Sequence, residues 1–232
     1  MPHLRDHELT VLDVTTAGRL DGAEFRQGSA LDETTVERAI EGRDAVIHLA
    51  AVVPKGAAMH DESKVRAAFD VNVRSVYLAL QRARAAGVRS FVHVSSMSVY
   101  AQYGVIPIDP HSSPDALTPY GLTKRLGEQT CAAFAAADTN LTITSLRLAV
   151  PTTEDLWPLW RSPSTPDAEP TAPTMADGRT VAALHPSDLA AAVEWALIRR
   201  GAYTAIPVAG DVDGETFLRP AGWRPRMGAT GR

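Results

Sequence analysis

The chain has 232 residues, of which 45% are hydrophobic and 22% are charged, and it carries a net charge of −4 at pH 7 with a pI near 6.0. This composition is that of an ordinary globular domain, and the mild acidity gives no electrostatic reason to expect nucleic acid or an anionic membrane as a partner. A single cysteine, Cys131, fits a reducing compartment, and no apolar run is long enough to span a membrane. We therefore expect a cytoplasmic protein, and no metal site is predicted.

The N-terminal part of the chain predicts strands around one short helix. Residues 9–13 form a short β-rich run that ends in an acid, and residues 24–28 form a weaker second strand. A helix is expected over residues 32–40, with Asp32 as its cap. The nearly continuous apolar run over residues 44–51 is typical of a parallel strand that is covered on both faces.

Helices and strands continue to alternate after this run. A long helix is expected over about residues 63–86, a strand over residues 90–95, a helix from Pro119 to about residue 137, and a strand over residues 141–148. This alternation predicts an α/β fold, a doubly wound parallel sheet of the Rossmann type.

The composition changes at Pro151. Residues 151–179 contain many prolines and show little periodicity, which indicates an irregular, loop-rich cap. A helix is expected over residues 186–198 and a last strand over residues 203–208, and the tail from Arg219 is expected to be loose. We interpret residues 1–150 as one domain and residues 151–232 as a small cap region that is not an independent domain.

Tyr120 and Lys124 lie four residues apart near the start of a predicted helix, so they share one face. A phenol beside an ammonium group is a proton-transfer pair, because the cation favours the phenolate and lowers its pKa. The alternative is an ordinary solvated helix face. The histidines His48, His93 and His185 are interpreted as structural.

Other polar and small residues are expected at the same edge of the sheet, where doubly wound folds bind ligands beyond the carboxyl ends of their strands. Ser96 ends one strand, and Ala50 and Ala51 end the preceding one and are small enough for a dinucleotide to lie against the backbone. Asp13 ends the first strand, where a carboxylate can accept the hydroxyls of a ribose. Each also has a plainer interpretation, as a turn residue, a packing residue or a strand end.

Five segments, in this order, resemble the extended short-chain dehydrogenase/reductases, and more narrowly their NAD-dependent epimerase/dehydratase group. The resemblance covers about residues 11–147, with a weaker similarity over residues 183–190. The segments are Val11-Leu12-Asp13, His48-Leu49-Ala50-Ala51, Asn72-Val73, Val94-Ser95-Ser96-Met97-Ser98-Val99-Tyr100 and Tyr120-Gly121-Leu122-Thr123-Lys124.

The resemblance implies an enzyme that uses NAD and a small-molecule substrate. Tyr120 would be the general acid/base, Lys124 would lower its pKa and hold the nicotinamide ribose, and Ser96 would hydrogen-bond the reacting oxygen. Residues 1–150 would be the NAD-binding domain, and residues 151–232 the substrate cap. The implied cofactor-binding residues are Asp13, Ser29, Ala30, Leu49, Ala50, Ala51, Asn72, Tyr120 and Lys124. A homodimer is expected only by analogy with the family.

One departure from the family pattern concerns the cofactor phosphates. The family begins with a strand and a glycine-rich turn of the G-x-x-G-x-x-G kind, and this sequence has none. The missing strand would be central, between the strand of Asp13 and that of Ala50, so two unpaired edges are expected. Either Met1 is an internal codon and about thirty more residues precede it, or the chain is a natural remnant that binds the cofactor poorly. The retention of Ser96, Tyr120 and Lys124 favours the first explanation, and the in-frame nucleotide sequence upstream of Met1 would decide.

A second departure concerns the substrate. Val150 stands where nucleotide-sugar enzymes of the group usually carry Asn, and the region after Pro151 is short for a nucleotide-sugar cap. We therefore expect an NAD-dependent oxidoreductase or epimerase/dehydratase that acts on a hydroxyl or carbonyl group of a sugar-like or other small molecule. The alternative is a truncated, non-catalytic binding or regulatory protein on the same fold.

Overall fold

A computed structural model describes residues 7–104, 108, 112–162, 167–174, 176, 178, 180 and 183–210. Its helices and strands follow the predicted order closely. The tail from Arg219 lies outside the described residues. The elements are β1 (Thr10–Asp13), β2 (Glu24–Gln27), α1 (Glu33–Ile40), β3 (Ala45–His48), α2 (Glu62–Phe69), α3 (Ser75–Ala85), β4 (Ser90–Ser96), α4 (Pro119–Ala137), β5 (Thr142–Leu148), α5 (Pro186–Ile198) and β6 (Thr204–Val208).

Every strand pairs in parallel, but the strands fall into two sheets. β1 pairs with β2, and a separate sheet has the order β3-β4-β5-β6. Among the described residues β1 pairs only with β2 and β3 only with β4, so each has one unpaired edge. The division falls where the sequence predicted that a central strand is missing, and the doubly wound, Rossmann-type fold class is confirmed.

The strands of the larger sheet alternate their side chains between two helical layers. Phe91 and Ile143 face a layer that contains α1, α3 and α4, whereas Val92 and Leu146 face α5. The first of these core clusters also includes Leu12 of β1. The two sheets therefore share one hydrophobic core, and α1 packs against α3 between them.

Two elements differ in detail from the sequence prediction. The helix expected over residues 63–86 is interrupted by a π-helical turn at Asp70–Arg74, which separates α2 from α3. The strand expected over residues 44–51 ends at His48, because hydrogen bonding to β4 stops there, and the side chain of Leu49 is 57% exposed.

The chain after β5 is irregular up to α5, as the prolines predicted. Isolated bridges join Trp160 to Thr171 and Thr174 to Thr180. α5 packs on the larger sheet and β6 pairs with β5, so these last two elements belong to the main fold. Within the described ranges, no helix is both long and apolar enough to cross a bilayer.

Candidate active site

The carboxyl ends of the parallel strands bring several of the predicted site residues to one edge of each sheet. Asp13 ends β1, the segment 49–51 follows β3, and Ser96 ends β4. Tyr120 is the second residue of α4, the helix that follows β4 in the chain. The side chain of Ser96 is close enough to Tyr120 to influence the pKa of its phenol.

Local sequence fixes the start of α4 and hence the position of Tyr120. The hydroxyl of Thr118 accepts a hydrogen bond from the Gly121 amide at 3.3 Å, and Pro119 occupies the first turn. Gly121 packs so closely that a Cβ at this position would collide with the carbonyl oxygen of Ser98. The glycine therefore lets the first turn of α4 lie directly against the turn that follows Ser96.

The phenol of Tyr120 holds its proton more firmly than a free tyrosine does. Burial raises the pKa of Tyr120, and the nearby Ser96 hydroxyl opposes this rise only in part. The sequence predicted that Lys124 lowers this pKa, but burial raises it, and Lys124 is not among the groups that shift it. The ammonium nitrogen of Lys124 lies 5.9 Å from the centroid of the Tyr120 ring.

Lys124 points into the protein and is only 2% exposed. Its Nζ donates a hydrogen bond to the carbonyl oxygen of Val94 in β4 at 2.7 Å. Burial lowers the pKa of Lys124 to about 8, although the negative charge of Glu128 opposes this shift. The contact of Lys124 with a cofactor ribose stays a prediction.

Two buried histidines lie beneath Lys124 on neighbouring strands. His48 Nε2 lies 2.8 Å from the hydroxyl of Ser75, and His93 Nδ1 lies 3.1 Å from the hydroxyl of Ser145. Burial, followed by the charge of Lys124, lowers the pKa of both rings, that of His48 to about 3. Both are therefore neutral at pH 7, as expected for structural histidines.

The predicted adenosine-side residues gather on the smaller sheet. Asp13 Oδ1 accepts a hydrogen bond from the Thr15 amide at 2.8 Å, and the Gly28 amide binds the carbonyl oxygen of Asp13. Ser29 and Ala30 follow directly, and the hydroxyl of Ser29 accepts from the Leu31 amide at 3.1 Å. The site residues thus form two groups, one at the end of each sheet.

Sequence reasoning missed a buried ion pair beside this site. Arg147 of β5 binds Glu128 of α4 through Nη2–Oε2 at 2.7 Å and Nε–Oε1 at 2.9 Å. Ser95 donates to Glu128 at 2.6 Å, and Arg147 donates to the phenol oxygen of Tyr100 at 2.6 Å. The available signal was Arg147 itself, a charge within a buried strand, which needs an acidic partner.

Comparison with known proteins adds family information to this geometry. The profile of the NAD dependent epimerase/dehydratase family matches residues 3–154. A UDP-glucose 4-epimerase from Rhizobium meliloti (strain 1021) is 30% identical over 112 residues, which are 48% of this chain and 32% of that protein. The chain thus matches about a third of the length of this curated relative.

Solved structures support the same fold. A mutated uronate dehydrogenase has a TM-score of 0.74 at 19% identity, covering 99% of this chain and 77% of its own. MoeE5 in complex with UDP-glucose and NAD has a TM-score of 0.68 at 23% identity, covering 91% of this chain and 71% of its own. At these identities the likeness concerns the fold alone.

Proposed function

This chain belongs to the NAD dependent epimerase/dehydratase family, and on that premise we propose that it is an NAD-dependent oxidoreductase or epimerase/dehydratase that acts on a hydroxyl or carbonyl group of a sugar-like or other small molecule. The observation that carries this proposal is the close packing of the first turn of α4, which holds Tyr120, against the turn that follows Ser96 at the end of β4. Lys124 stands one helical turn further along the same helix.

In this proposal Tyr120 moves the proton. Its raised pKa keeps the phenol protonated at pH 7, so it can donate to a carbonyl oxygen that is being reduced. In the opposite direction, Tyr120 must lose its proton, which a nearby positive charge would favour. Ser96, at the end of β4, would orient the reacting oxygen beside this phenol. NAD, when bound, would supply or accept the hydride.

The residues at the carboxyl ends of the strands in the two sheets suit the two ends of a bound dinucleotide. Asp13 would accept the adenosine ribose hydroxyls and disfavour a 2′-phosphate, and Ser29 and Ala30 would flank the adenine. At the other end, Leu49 exposes 57% of its surface beside the small Ala50 and Ala51, so the cofactor could cover an apolar edge. No residue of this sequence forms a glycine-rich phosphate turn, and we assign none to the pyrophosphate.

We propose that the substrate cap lies within the irregular segment after β5 and before α5. A contact between this segment and the loop after β3 supports this placement: the ammonium group of Lys55 lies 5.9 Å from the centroid of the Trp160 ring. UDP-glucose and uronates, named for the similar proteins, are the first substrates to test.

A second candidate function is a non-catalytic binding or regulatory protein. The specific observation in its favour is the divided sheet, because β1 and β3 each keep an unpaired edge within the described residues. This candidate predicts that the 232-residue chain unfolds cooperatively in urea but binds no NADH.

The two candidates are separated by NADH binding and turnover. We expect NADH to bind, as measured by calorimetry, and UDP-glucose or a hexuronate to be turned over. Tyr120→Phe should lower kcat by about a hundredfold or more and leave the NADH dissociation constant within about twofold. Tyr77→Phe is the matched control, since Tyr77 is 50% exposed on α3. Retained turnover in Tyr120→Phe would exclude Tyr120 as the acid/base.

A further inference from the structure

We propose that Lys55 is a specificity-determining residue that binds the carboxylate of a sugar acid lying on the face of Trp160. The inference rests on the proposed function, because it assigns these two residues to the substrate side of the site. It narrows the substrate from any sugar-like molecule to one that carries a negative charge on the sugar itself.

Lys55 and Trp160 come from separate segments that meet beyond the carboxyl ends of the strands. Lys55 follows β3, Trp160 follows β5, and the ammonium group lies 5.9 Å from the centroid of the indole ring. The loop after β3 is also bound to the acid/base helix α4. The buried side chain of Asn72 accepts a hydrogen bond from the Val52 amide at 2.8 Å and donates to Thr123 Oγ1 at 2.9 Å. The pair of Lys55 and Trp160 is thus held on the same side of the sheet as the start of α4.

Trp160 is fixed through its backbone, while its ring stays partly accessible. Its amide and its carbonyl oxygen each form a hydrogen bond with Thr171 at 2.9 Å. The residue before it is held as well, since the Thr152 hydroxyl donates to the Leu159 carbonyl oxygen at 2.8 Å. A fixed indole ring offers a broad apolar face on which the C–H side of a sugar ring can pack.

The positive charge of Lys55 has no carboxylate partner within the ranges that the structure describes, whereas Arg84 and Arg147 each bind one. The contact with the indole ring is weak for an exposed lysine, and a charge-assisted hydrogen bond to a carboxylate is stronger. A second cation lies next to Trp160. The Nε atom of Arg161 is buried and has no hydrogen-bond partner among the described residues. The surroundings of Trp160 therefore favour an anionic ligand.

A carboxylate fits this arrangement better than a diphosphate. A sugar acid carries its single negative charge on a substituent of the ring, so one ammonium group and one aromatic face can hold neighbouring parts of the same molecule. A diphosphate carries more charge and is bound by several donors, such as a row of backbone amides or an arginine fork. Lys55 supplies one point charge on a flexible stem.

Kinetics with a hexuronate and the matching neutral hexose test the assignment. Lys55→Met removes the charge and keeps most of the length of the side chain. We expect the KM for the hexuronate to rise about tenfold, with kcat and the KM for the hexose within about twofold of the wild type. Lys55→Arg keeps the charge and should bring the KM for the hexuronate back to within about threefold. Trp160→Leu should raise both KM values about equally, because it removes the ring face and no charge.

Lys64→Met is the matched control, since Lys64 is an exposed lysine on α2. It should leave both KM values unchanged. Equal effects of Lys55→Met on the hexuronate and the hexose would overturn the proposal, and so would an effect confined to UDP-glucose.

The outcome can be separated from that of the proposed function by measuring binding. If the wild type shows no turnover, the enzymatic proposal fails, but calorimetry with the hexuronate still decides the role of Lys55. Binding that is about tenfold weaker in Lys55→Met than in the wild type would support it. Equal binding in the two proteins, or no binding to the wild type, would refute it.

Discussion

The ion pair between Arg147 and Glu128 gives the sharpest stability prediction, because both side chains are buried. Their exposed fractions are 10% and 7%, and the guanidinium meets the carboxylate at 2.7 Å. Burial lowers the pKa of Arg147, but the hydrogen bonds and charge of Glu128 outweigh it and raise that pKa overall. Removing one partner leaves the other charge buried without compensation, which costs about 3–5 kcal/mol in proteins.

Arg147→Met should therefore lower the free energy of unfolding by about 3–5 kcal/mol, since Ser95 alone would remain on the carboxylate. In a chain of this length that loss lowers the melting temperature by about 6–20 °C. Glu128→Gln should cost a similar amount. The double variant Arg147→Met/Glu128→Gln should lose clearly less than the sum of the single variants, with a coupling energy of about 2 kcal/mol.

Urea unfolding of the wild type, both single variants and the double variant measures these energies. The exposed pair of Arg89 and Asp44 is the control. Its guanidinium meets the carboxylate at 2.8 Å, but the two side chains are 64% and 86% exposed. Asp44→Asn should cost less than about 1 kcal/mol. If Arg147→Met cost no more than Asp44→Asn, or if the two buried substitutions were additive, the reasoning from burial would be refuted.

Two further predictions concern His48 and Val150. Because burial lowers the pKa of His48 to about 3 from an ordinary value of 6.5, the unfolded chain binds the proton first, and stability is lost as the pH falls from 6.5 towards 3. Between pH 7 and pH 5 the free energy of unfolding of the wild type should therefore fall by about 2 kcal/mol more than that of His48→Gln, as measured by urea unfolding. Equal losses in the two proteins would contradict this. Val150 has a φ of 45°, which is strained for a β-branched side chain, so Val150→Gly should raise the free energy of unfolding by about 0.5–1 kcal/mol. Val53→Gly, at a valine without positive φ, should lower it, and equal losses in the two variants would exclude strain at Val150.

The elements were predictable where local signals and apolar periodicity agree. α4 begins at Pro119, as the Thr-Pro start signal indicates, and β4 and β5 fall within a residue of the expected ends. The division of the sheet also lies where the sequence predicted a missing strand, between the strands of Asp13 and Ala50 in the sheet. Such features depend on the order of local patterns along the chain, which a sequence contains directly.

The features that escaped prediction depend on what lies across the core. The pKa of Tyr120 was expected to fall beside Lys124, but burial, which spacing on one helix does not reveal, raises it. Lys124 itself turns to the Val94 carbonyl oxygen on β4. The partnership of Arg147 with Glu128 and the hydrogen bonds of Asn72 join elements that are far apart in sequence, so only their packing reveals them.

These contacts across the core stabilise two groups of proposed site residues separately, one group on each sheet. The residues proposed to handle the proton stand on β4 and α4, and the Arg147 ion pair holds these two elements together through Glu128 and Ser95. They are Ser96, Tyr120 and Lys124. Asp13 stands on the smaller sheet. In the part of the chain that the structure describes, this sheet is joined to the larger one by the packing of α1 on α3 and by the shared core, and not by strand pairing. Loosening α1 should thus weaken the proposed adenosine binding and leave Ser96 and Tyr120 in place. Breaking the ion pair should do the reverse, so the proposed cofactor-binding residues and the proposed proton-transfer residues depend on separate sets of contacts.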